Sequence, residues 1–152
     1  APIHKKKYRE NLTMQSILPY EMRYTQRMSS PCDDILHPLA RLGLERFNAG
    51  QYWLAHEALE DAWKDEGGAV RDLYRGILQA AVVYFHLTQK NLRGAVKVYE
   101  RSQKWLRKWD SPCRGVNVAQ LRDDLDAAIA EAKALGMENI ANFKGYTKID
   151  YE

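Results

Sequence analysis

Apolar residues recur every three or four positions over most of the chain after residue 33, which is the spacing of amphipathic helices. Glycine or proline punctuates five such segments, at about 34–49, 52–66, 70–89, 92–109 and 117–135. No run alternates with period two for long enough to predict a strand. Five helices with short connections predict an all-α fold, an antiparallel helical array.

Local signals delimit the first and last of these helices. Asp33 or Asp34 is suited to cap the start of the first helix, and Gly50 is suited to end it. Asn117 is expected to cap the fifth helix, and Gly136 to stop it.

The third helix, 70–89, is apolar nearly all round, so we expect it at the centre of the fold. Gly76 and Ala80 lie four residues apart on it and would let a neighbouring backbone come close. The fourth helix carries a seam at helical spacing, formed by Leu92, Ala95, Tyr99, Ser102, Leu106 and Trp109.

Charge divides the chain into an arm and a helical domain. Residues 1–32 contain six Lys or Arg and two Glu, a net charge of +4, whereas the other 120 residues contain 17 basic and 18 acidic residues, a net charge of −1. We therefore predict an extended basic arm over 1–32, a helical domain over 33–136 and a C-terminal tail over 137–152. With 45% hydrophobic and 28% charged residues, the composition is that of an ordinary globular protein and excludes collagen and disulfide-rich scaffolds.

Cys32 and Cys113 are 81 residues apart, and two interpretations are open. They are two free thiols in a reducing compartment, or a disulfide that ties the N-terminal segment to the loop at Cys113. The first interpretation, with no secretory leader and no apolar run near the ~20 residues that cross a bilayer, predicts a cytoplasmic protein. A plastid stroma after transit-peptide removal is the alternative, because the chain begins with a basic segment and without Met.

The second helix carries the residues most suggestive of chemistry. At about 100° per residue, Glu60 lies on the same side as His56, and both fall on the apolar face that also carries Trp63. A buried carboxylate must be paired or hydrogen-bonded. The third helix offers Asp72, Arg75, Gln79 and His86 along one side, so we expect Glu60 to accept from Arg75 and His56 to bond Gln79. The predicted polar site is therefore formed by His56, Glu60, Arg75, Gln79 and His86.

Three interpretations of this site are open. It is a polar network that fixes helix register, a divalent-metal site with His56, Glu60 and His86 as ligands, or an acid–base site in which Glu60 orients His56. The sequence lacks HExxH and lacks a second ExxH pair, which excludes a zincin and does not support a di-iron bundle. A divalent metal is thus the cofactor these residues would suit, and no cofactor is evident from the sequence itself.

The stretch FNAGQYWLAHEALEDAWK, followed by RDLYRGILQAAVVYFHL and NLRGAVKVYERS, resembles the family of bacterial, archaeal and plastid proteins catalogued as domain of unknown function, family 309. The resemblance covers about 36–106. It rests on a turn and helix motif formed by Phe47, Asn48, Gly50, Tyr52, His56, Glu57, Glu60 and Trp63. Further matches are Gly76, Gln79, Ala80, Asn91, Gly94 and Ala95. The resemblance implies a compact all-α fold and no particular activity.

A basic stripe lies opposite the seam of the fourth helix and consists of Arg93, Lys97, Arg101, Lys104 and Lys108. It is either the solvated face of an amphipathic helix or a surface for phosphates or an acidic protein. We favour a non-enzymatic binding or assembly protein that docks a protein partner through the arm, the stripe or both. The alternative is a small metal-binding protein or hydrolase-like enzyme that uses His56 and Glu60. The mild overall charge does not favour nucleic acid, although the stripe leaves it open.

Overall fold

The structure, a computed structural model, describes residues 30–152, so nearly all of the predicted arm over 1–32 lies outside the described residues. Five helices follow one another: α1 (Pro38–Asn48), α2 (Tyr52–Asp65), α3 (Arg71–Thr88), α4 (Leu92–Leu106) and α5 (Val118–Asn139). Short 3-10 turns lie at Pro31–Asp33 and Ile140–Asn142. The described part contains no β-strand, which confirms the predicted all-α class. None of its helices is long and apolar enough to span a membrane.

The predicted helices are found, but α5 ends four residues later than predicted and α1 begins four residues later. Pro38 occupies its first turn, and the side chain of His37 accepts a hydrogen bond from the Leu39 amide as the N-cap. A residue that precedes proline disfavours the helical conformation, so the helix cannot extend back to residue 34. Asp33 instead forms a reciprocal capping box with Ser30 around the short 3-10 turn.

Helix α3 lies at the centre, as predicted, and packs against both α2 and α4. A Cβ atom added at Gly76 would lie 2.8 Å from Cδ2 of Leu106, so α4 passes directly over this glycine. Helix α1 packs on α2 in the same way, because Gly43 faces the Leu59 side chain. The expected close approach on α3 is confirmed, and α4 is the helix that makes it.

Helix α5 begins at the predicted cap, where Asn117 accepts from the Gln120 amide. Gly136 interrupts it with a positive φ of 70°, and a short helical segment continues to Asn139. The chain after residue 142 is extended and returns across the helices, with Phe143 and Ile149 buried in the core. The predicted tail is therefore folded against the helical domain.

Cys32 and Cys113 form a disulfide, so the free-thiol interpretation is wrong and the alternative is correct. Their separation of 81 residues gave no spacing signal, and only the folded chain brings them together. The adjacent Arg114 amide donates to the carbonyl of Cys32, and the Arg114 guanidinium donates to the carbonyls of Pro31 and Ile35. The prediction of a reducing compartment consequently loses the support that free thiols gave it.

Candidate functional site

Helices α2 and α3 run antiparallel, and aromatic contacts set their register. The Trp53 ring packs on Phe85 with a centroid distance of 5.0 Å, and at the other end the Arg75 guanidinium lies 5.5 Å from the Trp63 ring. This register brings His56 level with Val82, about one helical turn beyond Gln79.

His56 and Glu60 form the intrahelical pair expected from their spacing. The distance from His56 Nε2 to Glu60 Oε2 is 3.4 Å, and Lys64 Nζ lies 3.0 Å from the other carboxylate oxygen. The side chain of His56 is 18% exposed and that of Glu60 35% exposed, so the imidazole is largely buried and the carboxylate lies at the edge. The carboxylate is therefore balanced by its own helix.

The expected contacts between this pair and α3 are not formed among the described residues. Glu60 is paired with Lys64 and His56, and the Arg75 guanidinium lies over tryptophan rings instead. Nδ1 of His56 and Oε1 of Gln79 are both buried without a hydrogen-bond partner. The register of α2 and α3 explains why His56 and Gln79 do not bond to each other, because it separates their side chains by about one turn along the helix axes.

His86 lies apart from the pair, at the end of α3. Its Nδ1 is 3.2 Å from Nδ2 of Asn91, which caps the start of α4. In the part of the chain that the structure describes, no three His, Cys, Asp or Glu side chains are arranged to hold a metal ion. Among the described residues, His56, Glu60 and His86 are thus not gathered into such a group.

Arg75 is instead the centre of a stack of cations and tryptophans that links three helices. Its guanidinium carbon lies 4.4 Å from the centroid of the Trp105 ring on α4 and 5.5 Å from Trp63 on α2. Arg71 lies over Trp63 at 4.9 Å, and Nζ of Lys104 lies 4.7 Å from the Trp105 centroid. Cation–π contacts of this kind are worth about 0.5–1 kcal/mol each at exposed sites. Arg75 therefore contacts tryptophans of both neighbouring helices.

An open groove of about 510 Å³ runs between α3 and α4 beside this stack. Four cations and one carboxylate contribute to its lining, which consists of Arg75, Gln79, Lys97, Glu100, Arg101, Lys104 and Trp105. None of the four cations forms a salt bridge with another described residue, and the three on α4 are exposed. The groove therefore presents a net charge of about +3 that the described chain does not neutralise.

The predicted basic stripe is divided by the fold. Lys97, Arg101 and Lys104 line the groove, whereas Arg93, at the start of α4, does not. Lys108 lies beyond the end of the helix and pairs with Asp72 at 2.8 Å. Lys97, Arg101 and Lys104 are thus the part of the stripe that belongs to the groove.

The motif residues before His56 are structural. Phe47 packs edge-on against Tyr52 and Tyr84, with centroid distances of 5.1 and 5.3 Å. Burial raises the pKa of Tyr52 to about 12, with a smaller contribution from nearby Tyr146, and burial likewise raises the pKa of Tyr84 to about 12. Both phenols stay neutral at physiological pH and act as core side chains.

Two further motif residues shape the turn between α1 and α2. Gly50 adopts a positive φ of 77°, which glycine allows without strain. Asn48 reaches the other end of the chain, where its side-chain amide donates to the carbonyl of Ile149 at 2.9 Å and accepts from the Ile149 amide at 2.7 Å. Glu57 is exposed, as its position on the helix predicts.

Sequence reasoning identified Arg75, Gln79 and the α4 cations, but it assigned them to two separate features. The groove that joins them depends on Gly76, which lets α4 approach α3 closely enough for Trp105 to cover Arg75. The available signal was the Gly76–Ala80 spacing together with a basic stripe on the next helix. The role of Asn48 had no local signal, because its partner lies 101 residues away.

Comparison with known proteins supports the family resemblance. The sequence model of the family described as Domain of unknown function (DUF309) matches residues 40–98, which run from α1 into α4 and contain the His56 motif, Arg75 and Gln79. An uncharacterized protein of Aquifex aeolicus (strain VF5) is 26% identical over 99 residues, which cover 63% of this chain and 27% of that protein. This chain thus matches little more than a quarter of that relative's length. The resemblance expected from the motif is confirmed, and residues 40–98 are the segment of this chain that matches DUF309.

Proposed function

We propose that this protein is a binding protein whose α3–α4 groove receives an acidic segment of a protein partner. The observation that carries the proposal is the set of four groove cations without an acidic partner among the described residues. Four cations elsewhere in the described chain do have such partners: Arg107 pairs with Asp126, Lys108 with Asp72, Lys64 with Glu60 and Arg114 with Glu66. The groove therefore gathers, around the single carboxylate of Glu100, four cations that form no salt bridge with another described residue.

The stacking of Arg75 supports recognition of oxyanions. A guanidinium that lies over an aromatic ring keeps its N–H groups in the plane, where they can form two parallel hydrogen bonds to a carboxylate. The Trp63 and Trp105 contacts restrict the Arg75 side chain before any ligand arrives. Such preorganisation lowers the entropic cost of binding.

An acidic protein segment fits this groove better than nucleic acid does. Residues 33–152 carry a net charge of −1, so the charge of about +3 in the groove lining belongs to a domain that is not basic as a whole. Cations already cover the faces of Trp63 and Trp105, and single-stranded nucleic acids rely on such faces for base stacking. The groove offers directed N–H donors and little stacking surface.

In this proposal His56 and Glu60 have a structural role and do not contact the ligand. Neither residue lines the groove, and Glu60 is held by Lys64. We propose that the pair helps to fix the position of α2, which carries Trp63 at the base of the cation–tryptophan stack. On this view neither residue serves as a metal ligand or a catalytic base.

Fluorescence anisotropy with a labelled ten-residue Glu-rich peptide tests the proposal. A Gln-rich peptide of equal length is the control ligand, and a Lys133→Glu variant, which reverses an exposed charge on α5, is the control protein. We expect the acidic peptide to bind and the Gln peptide not to bind. Double reversal, Arg101→Glu with Lys104→Glu, is expected to weaken acidic-peptide binding by about tenfold or more.

Two results would overturn this function. The first is equal binding of the acidic and Gln peptides, or of the acidic peptide by the wild-type chain and the double variant. The second is tighter binding of a single-stranded or duplex oligonucleotide of matched charge, which would favour nucleic acid as the partner.

A further inference from the structure

The last six described residues, 147–152, form an extended segment that we call the strap. Its exposure alternates along the chain: Lys148, Asp150 and Glu152 are exposed, Thr147 and Tyr151 are half-buried, and Ile149 is buried. An isolated antiparallel bridge joins Val116 to Tyr151. The strap is thus bound to the protein much as a β-strand is bound at a sheet edge.

Most of the hydrogen bonds that hold the strap are made to its backbone atoms. Asn48 makes two hydrogen bonds to the main chain of Ile149, and Gln120 makes two more, to the Lys148 carbonyl and the Asp150 amide. The Asn117 amide donates to the Asp150 carbonyl, and the Gly115 carbonyl accepts from the Glu152 amide. Contacts to backbone atoms depend little on the side chains of the bound segment.

Besides Tyr151, whose ring lies 5.5 Å from the Arg41 guanidinium carbon, two strap side chains are held by the protein. Ile149 is 2% exposed, and Thr147 shares a hydrogen bond of 3.2 Å with the Tyr84 hydroxyl. The strap slot, which we define as Asn48, Tyr84, Gly115, Asn117 and Gln120, therefore selects a branched aliphatic residue and a hydroxyl two positions before it.

We propose that the strap slot is a recognition site for an extended peptide of this Thr-x-Ile type, and that the strap occupies it as an intramolecular ligand. Backbone-directed bonds combined with pockets for alternate side chains are the pattern of peptide recognition by strand addition. The family-matched segment contains Asn48 and Tyr84 of the slot but not the strap. The slot lies on α1, α3 and the start of α5, so the proposal does not depend on the function of the α3–α4 groove.

The strap competes with any added peptide because it is tethered beside its own site. Because it is tethered, the strap has an effective concentration at the strap slot on the order of millimolar. A free peptide therefore binds measurably only when the strap is weakened, and an Ile149→Asp variant weakens it by placing a carboxylate in the apolar pocket.

The test uses a fluorescein-labelled synthetic peptide with the sequence of residues 146–152, YTKIDYE. We expect it to bind the full chain carrying Ile149→Asp at least about tenfold more tightly than the wild-type chain. Adding Asn48→Ala to that variant is expected to weaken binding by about tenfold. A control peptide with Asp at the isoleucine position is expected not to bind. Equal binding of both peptides, or no binding by an Ile149→Asp chain with native helical circular dichroism, would overturn the proposal.

Hydrogen exchange on the wild-type chain gives an answer even where Ile149→Asp fails to fold. A strap that acts as a ligand opens without global unfolding, so the Ile149, Asp150 and Glu152 amides are expected to exchange faster than those in the middle of α3. Exchange of these strap amides at the rate of the α3 core would identify the strap as a fixed part of the core and overturn the proposal.

Discussion

Replacing Asn48 by alanine removes the contact that joins the turn between α1 and α2 to the C-terminal strap. Its side-chain amide makes bonds of 2.7 and 2.9 Å to the Ile149 main chain, and alanine leaves both backbone groups without these partners. Each lost bond costs about 0.5–1.5 kcal/mol, and a backbone group left buried costs about 1–3 kcal/mol. Because the neighbouring Lys148 and Asp150 are exposed, water can reach part of this site. We therefore expect a loss of about 2–3 kcal/mol in the free energy of unfolding.

Urea denaturation followed by circular dichroism measures this loss. The corresponding decrease in melting temperature is about 5–10 °C for a chain of this size. Asn142→Ala is the matched control, because Asn142 is exposed and its side chain makes no hydrogen bond to another described residue. Asn48→Asp keeps the side-chain volume but places a carboxylate oxygen against the Ile149 carbonyl, so it is also expected to destabilise the chain. A change within about 0.5 kcal/mol for both Asn48 variants would refute the reasoning.

Three further predictions concern stability. Burial raises the pKa of Tyr52 to about 12. Near pH 10 the Tyr52 hydroxyl therefore loses its proton in the unfolded chain but keeps it in the folded chain. The free energy of unfolding is consequently unaffected by this group below about pH 10 and falls between about pH 10 and pH 12. Tyr52→Phe is expected to make this fall shallower in urea midpoints measured across that range, and an unchanged slope would contradict it. Gly76→Ala places a Cβ 2.8 Å from Leu106 and should cost about 1–3 kcal/mol, whereas Gly67→Ala, with open space around it, should not destabilise. Replacing both Cys32 and Cys113 by serine should lower the free energy of unfolding by about 2–4 kcal/mol in thermal melts, and equal melting temperatures would count against the disulfide.

The sequence predicted the helices well because their signals are local. The apolar spacing of α4 and the cap at Asn117 each lie within one or two helical turns, and the structure confirms both. The predicted start of α1 was wrong because it relied on Asp33 or Asp34 as the cap. Pro38 disfavours a helical conformation at the residue before it, and this restriction sets the actual start.

The site was only partly predictable because it depends on helix register. His56 and Glu60 meet within one helix, which spacing alone establishes. Whether Arg75 faces Glu60 or a tryptophan depends on the register of α2 and α4 along α3. The Trp53–Phe85 contact sets the first register, and the packing of α4 on Gly76 sets the second. The disulfide and the Asn48–Ile149 contact link distant residues, so no local pattern could reveal them.

The central claim, that the groove beside Arg75 is the binding site, is tested most directly by the indole N–H signals of the four tryptophans in a ¹⁵N NMR titration. Trp105 and Trp63 belong to the cation–tryptophan stack, whereas Trp53 lies at the opposite end of α2 against Phe85. On titration with the Glu-rich peptide, we predict that the Trp105 and Trp63 signals shift to saturation and the Trp53 signal stays in place. A saturable shift of Trp53 alone, or no shift of any indole signal, would contradict the account.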